Sequence, residues 1–218
     1  MSKIKLAVFD MDGTLLEPRS CWAYIHDHFG TDNSDMLKQY IEKKISDNDF
    51  VNADMKLWQS STKRKVNEKY INSILDEIKP IKGAGKLIKT LHSNYIKTII
   101  ISGGIQYLAD KWAKKWGMKY AFANELINDK KGRLKANINV RGNAKGPVME
   151  SILEKMKIEE EEVISIGDTV VDLPLFERSK FSIAVNTDDS RVINKADYHH
   201  TSSDLSGLIP IISKLAKH

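Results

Sequence analysis

Ile4-Lys5-Leu6-Ala7-Val8-Phe9-Asp10-Met11-Asp12-Gly13-Thr14 is the stretch from which the rest of the chain can be read. A short apolar run stops at two acids one residue apart, and a glycine and a threonine follow. Such a run, bounded by charge and glycine, predicts a buried strand over Ile4–Phe9 whose carboxyl end meets solvent at Asp10. Two like charges held this close are unfavourable unless a cation or a proton offsets them. Gly13 lets the chain turn sharply away from the strand. Taken alone, the stretch supports two readings, a working carboxylate pair or an Asp-Gly turn in a loop.

Further along, similar apolar runs recur at Thr98–Ile101, Val163–Ile166 and Phe181–Val185, with Tyr120–Ala123 a weaker instance. Stretches of helical period lie between them, such as Leu87-Ile88-Leu91, Tyr107-Leu108-Trp112 and Val148-Ile152-Leu153-Met156. Strands alternating with helices predict a parallel sheet covered on both faces. Ligands of such open sheets bind beyond the carboxyl ends of the strands. From Pro18 to Lys79 the alternation breaks. Trp22-Ile25-His26-Phe29, Met36-Leu37-Tyr40-Ile41 and Tyr70-Ile71-Ile74-Leu75-Ile78 all carry helical spacing, so their aromatic and Met side chains read as core. This predicts a small helical unit inserted after the first strand, with Pro80 and Gly83 marking re-entry into the α/β body. Asp129-Lys130-Lys131-Gly132 reads as a hairpin turn.

Composition narrows the class. The 218 residues carry 34 Lys+Arg against 29 Asp+Glu, with 41% hydrophobic and 29% charged residues, an ordinary globular mixture. A net charge of +5 with lysines dispersed and runs no longer than Lys63-Arg64-Lys65 argues against a nucleic-acid partner. Glu159-Glu160-Glu161-Glu162 reads as a solvated loop. The single cysteine, Cys21, excludes an internal disulfide and a four-thiolate zinc site. No apolar stretch approaches the roughly 18 residues of a membrane span, and the first apolar segment stops at Asp10, too short for a signal peptide. A cytoplasmic protein with no membrane partner is the expectation. Cys21, His199 and His200 receive no functional role; the His pair reads as structural or exposed.

The other predicted strand ends carry candidate chemistry. Ser102-Gly103-Gly104 follows the second strand and precedes a helix starting near Ile105, which suits either a phosphate site of hydroxyl and backbone N–H groups or a capped glycine turn. In Asn143-Ala144-Lys145-Gly146-Pro147 the lysine stands at a helix N-terminus, opposing the dipole, and is either solvated or set for an anion. Gly167-Asp168-Thr169-Val170-Val171-Asp172 offers carboxylates at i and i+4 to a hard cation such as Mg²⁺, or a capping Asp168 and a surface Asp172. Four such features in order, all directed to one sheet edge, favour a common site.

Asp10-x-Asp12-Gly13-Thr14, Ser102-Gly103-Gly104, Lys145 and Gly167-Asp168-x-x-x-Asp172 together resemble the haloacid dehalogenase superfamily of phosphohydrolases. Tyr120-Ala121-Phe122-Ala123-Asn124-Glu125-Leu126, Asn143-Ala144-Lys145-Gly146 and the helical insertion are similar to its phosphoserine phosphatase branch. The resemblance spans nearly the whole chain. It implies a Rossmann-like, three-layer α/β core formed by residues 1–14 and 80–218, with a helical cap over residues 15–79.

The resemblance also implies roles. Asp10 would be the nucleophile, forming an aspartyl-phosphate, and Asp12 the acid and base that protonates the leaving alkoxide and then activates water. Mg²⁺ would bind Asp10, the Asp12 carbonyl and Asp168. Lys145, Ser102, Gly103 and Thr14 would meet the phosphate, and Asp172 would position Lys145 or metal-bound water. Aspartyl-phosphate ATPases and dehalogenases lack an acid at the position of Asp12, so its presence implies turnover of phosphate esters. The branch places an acidic residue about nine positions after its nucleophile and an Asn before its last Asp; here those positions hold Arg19 and Val171. The expectation is therefore a Mg²⁺-dependent hydrolase of a small phosphomonoester with altered substrate-binding residues, its insertion acting as a lid. The alternatives are a phosphotransferase or phosphomutase using the same aspartyl-phosphate, or a protein that only binds phosphate.

Overall fold

The computed structural model describes residues 3–141 and 144–216; Asn143, quoted above, lies outside the described residues. Seven strands, β1 (Leu6–Phe9), β2 (Lys97–Ile105), β3 (Tyr120–Asn128), β4 (Leu134–Asn137), β5 (Val163–Gly167), β6 (Phe181–Val185) and β7 (Tyr198–His200), form one sheet in the order β4-β3-β2-β1-β5-β6-β7. Every pairing is parallel except β3 with β4. That antiparallel pair turns at the predicted hairpin: the Gly132 amide donates to the Asp129 carbonyl, and the Asp129 amide to that of Arg133. Gly132 has φ +68° there, a conformation that favours glycine.

The central strand shows why apolar runs here are continuous rather than alternating. All four β1 residues are buried. Leu6 and Val8 pack with Ile99, Ile101 and Met149 on one face, while Ala7 and Phe9 belong with Leu87, Ile88 and Leu91 on the other. Each face therefore has its own helical layer. Helices α5 (Ala84–Ser93) and α6 (Gln106–Trp116) cover one side, and α7 (Lys145–Met156) covers the other. Fully burying such side chains stabilises the fold by about 1.5–3 kcal/mol each.

Between β1 and β2 the chain forms α1 (Cys21–Phe29), α2 (Ser34–Ile41), α3 (Asp47–Ser60) and α4 (Glu68–Leu75). Local chemistry sets their ends. Ser20 caps α1 by accepting from the Ala23 amide, Gly30 closes it in the left-handed conformation, and Ser46 and Asp49 form a reciprocal capping box on α3. Trp58 is wholly buried and lies beside Trp22 and Phe29, with ring centroids 6.0 and 6.4 Å away. Helix α2 buries none of its residues, and Leu37 and Ile41 stay 42% and 69% exposed. The excursion is closed at its neck: Leu16 bridges to Pro80, the Glu17 amide donates to the Lys79 carbonyl and the Ile81 amide to that of Leu15.

Two strands run longer than the sequence pattern predicts. β3 continues from Ala123 to Asn128 to pair with β4, and β2 continues from Ile101 to Ile105. The register of β2 against β3 shifts between Ile101 and Ile105, so Ser102, Gly103 and Gly104 lie in an irregular strand end rather than at a helix start. Among the described residues, no helix is long and apolar enough to cross a membrane.

Candidate active site

β1 has β2 on one side and β5 on the other, and successive strands run outward from it in both directions. At such a point of reversal, open α/β sheets hold ligands beyond the carboxyl ends of their strands. Asp10 follows β1 directly, and its amide donates to the Ile166 carbonyl of β5. The next residues turn tightly, with the amides of Thr14, Leu15 and Leu16 all donating to the Met11 carbonyl. Gly13 sits at φ +73°, and a Cβ there would run into Asp168 Oδ2. Glycine is what lets the first loop and the β5 loop approach.

Lys145 opens α7 and is only 1% exposed. Its Nζ lies 2.6 Å from Asp10 Oδ1 and 2.6 Å from Asp172 Oδ1, so the solvated reading of this lysine is excluded. Asp172, also buried, accepts through Oδ2 from the amides of Asp168 and Thr169. It thus ties the β5 loop to Lys145. Thr14, expected on the phosphate, is wholly buried and donates its hydroxyl to Asp168 Oδ1 at 3.0 Å, a contact that orients Asp168.

Carboxylate oxygens of Asp10, Asp168 and Asp172 come within 4.8 Å of one another, and all three residues are buried. The side chain of Asp12 is not in this group. Its Oδ2 accepts from the Cys21 amide at 2.8 Å, and its Oδ1 is buried without a hydrogen-bond partner among the described residues. Burial, with added repulsion from Asp172 and Asp12, pushes Asp10 up to about 7, although Lys145 opposes the shift. Burial and the charges of Asp10 and Asp172 push Asp168 up to about 8. Asp12 is raised by burial as well. Lys145 stays charged for the converse reason: burial works against its charge, but Asp10 and Asp172 more than offset that and keep it protonated. Four buried acids facing one ammonium fit a hard divalent cation, which supplies the missing positive charge. Asp172 commits its oxygens to Lys145 and the loop amides, which leaves Asp10 and Asp168 as the side-chain donors.

On the β2 side, Ser102 is 2% exposed and its Oγ accepts from the Gly104 amide, leaving its O–H to donate. The Gly103 carbonyl accepts from Trp22 Nε1 and Asn124 Nδ2, which fixes this strand end in place.

Several contributors escaped the sequence reading. Gly104, quoted only within its motif, lets β2 approach Asp12, since a Cβ there would lie 2.6 Å from Met11 Cε and 2.9 Å from Asp12 Oδ2. Cys21, assigned no role, holds Asp12 through its backbone amide, a contribution no residue-type signal reveals. Asn186, just past β6, donates to the Gly13 carbonyl. Asn124 was visible only as part of a quoted segment; its amide joins β2 to the Asn139–Val140 backbone. Arg19 is exposed and donates to the Asn186 carbonyl. His199 and His200 donate to the carbonyls of Thr187 and Asp204, the structural use expected for them.

The chain is similar to known proteins in sequence and fold. The family model described as haloacid dehalogenase-like hydrolase matches residues 4–180. A phosphoserine phosphatase of Archaeoglobus fulgidus is 28% identical over 95% of this chain, and the match spans 60% of that relative's length. A phosphoserine phosphatase of Methanocaldococcus jannaschii is 30% identical over 84% of this chain and 85% of its own. The solved structure of a phospho-aspartyl intermediate analogue of phosphoserine phosphatase superposes with a TM-score of 0.78 at 26% identity, covering 96% of this chain and 99% of the other.

Proposed function

Because the chain belongs to the haloacid dehalogenase-like hydrolases, in their phosphoserine phosphatase-like branch, we propose that it is a Mg²⁺-dependent phosphomonoester hydrolase working through a phosphorylated Asp10. The observation that carries this reading is Asp12: a buried acid with one oxygen held by the Cys21 amide and the other without a partner, two residues beyond the Asp10–Lys145 pair.

In the first half-reaction an Asp10 oxygen bonds to phosphorus while the ester P–O bond breaks. The departing alkoxide is strongly basic, and Asp12, whose hold on a proton burial strengthens, delivers the proton it needs. In the second half, Asp12 takes a proton from water as that water attacks phosphorus, the Asp10–phosphorus linkage opens, and inorganic phosphate leaves. Lys145 stays charged throughout, holding the Asp10 carboxylate in place and countering its negative charge. The Ser102 hydroxyl and the backbone amides near Gly103 face the transferring oxygens. Mg²⁺, held by Asp10 and Asp168 with the Asp12 carbonyl, supplies positive charge to the phosphoryl oxygens when bound. Asp172 fixes Lys145, and Thr14 fixes Asp168. Residues 15–79 act as a cap over this site and exclude water during transfer. The substrate is a small phosphomonoester met by residues unlike those of the phosphoserine enzymes, with Arg19 and Val171 at two positions where that branch is acidic or Asn.

The test is phosphate release from an aryl phosphate with Mg²⁺, with EDTA, and by the Asp10→Asn variant. Release that needs Mg²⁺ and vanishes in the variant is expected. Release by Asp10→Asn at the wild-type rate refutes the nucleophile assignment, and turnover that rises with added alcohol acceptors moves the reading to phosphotransfer.

A further inference from the structure

A cavity of about 370 Å³ lies between the inserted helices and the β2–β3 strand ends. It falls at the lower end of small-molecule sites, roughly 300–1,000 Å³. We propose that it receives the alcohol portion of the substrate, and that this alcohol is an uncharged apolar or aromatic group without a carboxylate. The inference rests on the phosphatase reading and names the substrate class of the same site.

Position is the first reason. Ser20 and Trp22 in its wall flank Cys21, whose amide holds Asp12, and Gly103 in its wall follows Ser102. A group bonded to a phosphoryl oxygen beside Asp12 and Ser102 has this space next to it. The wall itself is the second. Trp22, Leu37, Phe50, Val51, Ile138 and Val140 supply apolar surface, and Phe50 is stacked on Tyr40 at 4.8 Å. An aromatic or alkyl group entering here is removed from water against rings and branched side chains.

The third reason is that most polar groups of the wall already have partners. Ser20 caps α1, Trp22 Nε1 donates to the Gly103 carbonyl, and Asn33 Nδ2 donates to Asp54. The Tyr40 hydroxyl donates to Asp47, and Asn124 bonds through both its oxygen and its nitrogen. Among the described lining residues there is no lysine or arginine, and the one charged side chain is the acid Asp47. Arg141 lies on Asp47 at 4.0 Å, Arg19 is turned to the Asn186 carbonyl, and Lys145 is committed to Asp10 and Asp172. Among the described lining residues a carboxylate meets no cation and has the acid Asp47 beside it, so it keeps its desolvation cost. A phenyl or alkyl group carries no such penalty.

Three primary-alkyl esters with comparable leaving groups separate the possibilities: 2-phenylethyl phosphate, ethyl phosphate and phosphoserine, compared by kcat/KM in Mg²⁺. The expected order is 2-phenylethyl above ethyl by about 10–100-fold, a range set by what an apolar pocket discriminates, with phosphoserine lowest. Phe50→Ala should shrink the phenylethyl-to-ethyl ratio, and a circular-dichroism melt establishes that the variant is folded. In parallel, binding of 3-phenylpropylphosphonate and of 2-amino-4-phosphonobutyrate, which cannot be hydrolysed, is followed by tryptophan fluorescence, since Trp22 lines the cavity. Tighter binding of the phenyl compound is expected. Phosphoserine turned over as well as the phenyl ester overturns this inference and leaves the phosphatase intact. No turnover of any ester, with the phenyl phosphonate still preferred, overturns the phosphatase reading and upholds the cavity's preference. Neither turnover nor preferential binding overturns both.

Discussion

Replacing Lys145 by Met removes the one ammonium from among the four buried acids while keeping most of the side-chain volume. Two charge-assisted contacts of 2.6 Å disappear together, to Asp10 and to Asp172, in surroundings where the lysine is 1% exposed. Breaking a buried ion pair by deleting one partner costs about 3–5 kcal/mol, because the remaining charge stays desolvated. For a chain of 218 residues each kcal/mol moves the midpoint by about 2 °C, so a fall of about 6–10 °C is expected near pH 8. The loss depends on pH. Asp10 already stands at about 7 with the lysine in place, and without it the carboxyl takes up a proton more readily still. At pH 5.5 the acid is neutral, its unpaired charge is gone, and the deficit should shrink to less than half. Saturating Mg²⁺ should restore part of it at pH 8 by supplying another positive charge. The assay is thermal unfolding of wild type and Lys145→Met across pH 5.5–8 in EDTA and in Mg²⁺. A deficit under about 1 kcal/mol, or one identical at both pH values, refutes the claim that Lys145 balances buried carboxylates.

Asp12→Asn should lower kcat/KM on an alkyl phosphate by about 10²–10⁴-fold, the usual worth of a positioned acid, and lower it far less on p-nitrophenyl phosphate, whose leaving group needs no proton. Equal losses on both esters refute the acid role. Wild-type protein in EDTA should lose stability as pH rises from about 5 to 8: Asp10 and Asp168 have folded values raised to about 7 and 8 from 3.8, so the folded chain binds those protons more tightly than the unfolded one, and that stabilisation is present below the unfolded value and lost through the folded ones. A melting temperature that climbs over this window contradicts the assignment. Gly13→Ala drives a Cβ into Asp168 from a backbone at φ +73°, and should weaken Mg²⁺ binding, read by calorimetry, by about 10–100-fold; an unchanged affinity removes Gly13 from the site's construction.

The parallel core was legible because β1 and β5 are buried on both faces and therefore carry near-continuous apolar runs, broken in β5 by Ser165. Asp10 and Asp168 were legible because each directly follows such a strand. The extent of β2 was not: Ser102-Gly103-Gly104 read as a phosphate site or a glycine turn, and the strand resumes its pairing with β3 only at Ile105. The contact of Thr14 with Asp168 was hidden because the two lie 154 positions apart in sequence. The hold of Cys21 on Asp12 runs through a backbone amide, which leaves no trace in residue type. The composition of the cavity wall was equally hidden, since Trp22, Phe50 and Val140 meet only in the folded chain.

The neck at Leu15–Glu17 and Lys79–Ile81 has a consequence for how such a chain diversifies. Two backbone hydrogen bonds and a bridge at Leu16–Pro80 hold the two ends of the excursion side by side. Whatever hangs from that clasp can be lengthened, shortened or exchanged without moving β1 relative to its neighbours, because closing a longer loop adds only about 0.6 kcal/mol per doubling. Selectivity and chemistry can then change at different rates along one polypeptide. The separation is incomplete at the first turn of α1: the Cys21 amide holds Asp12 and Trp22 Nε1 donates to the Gly103 carbonyl. A transplanted segment must bring an N–H to each of those spots, so the first helical turn beyond the clasp is inherited with the acid while the helices after it are free to vary.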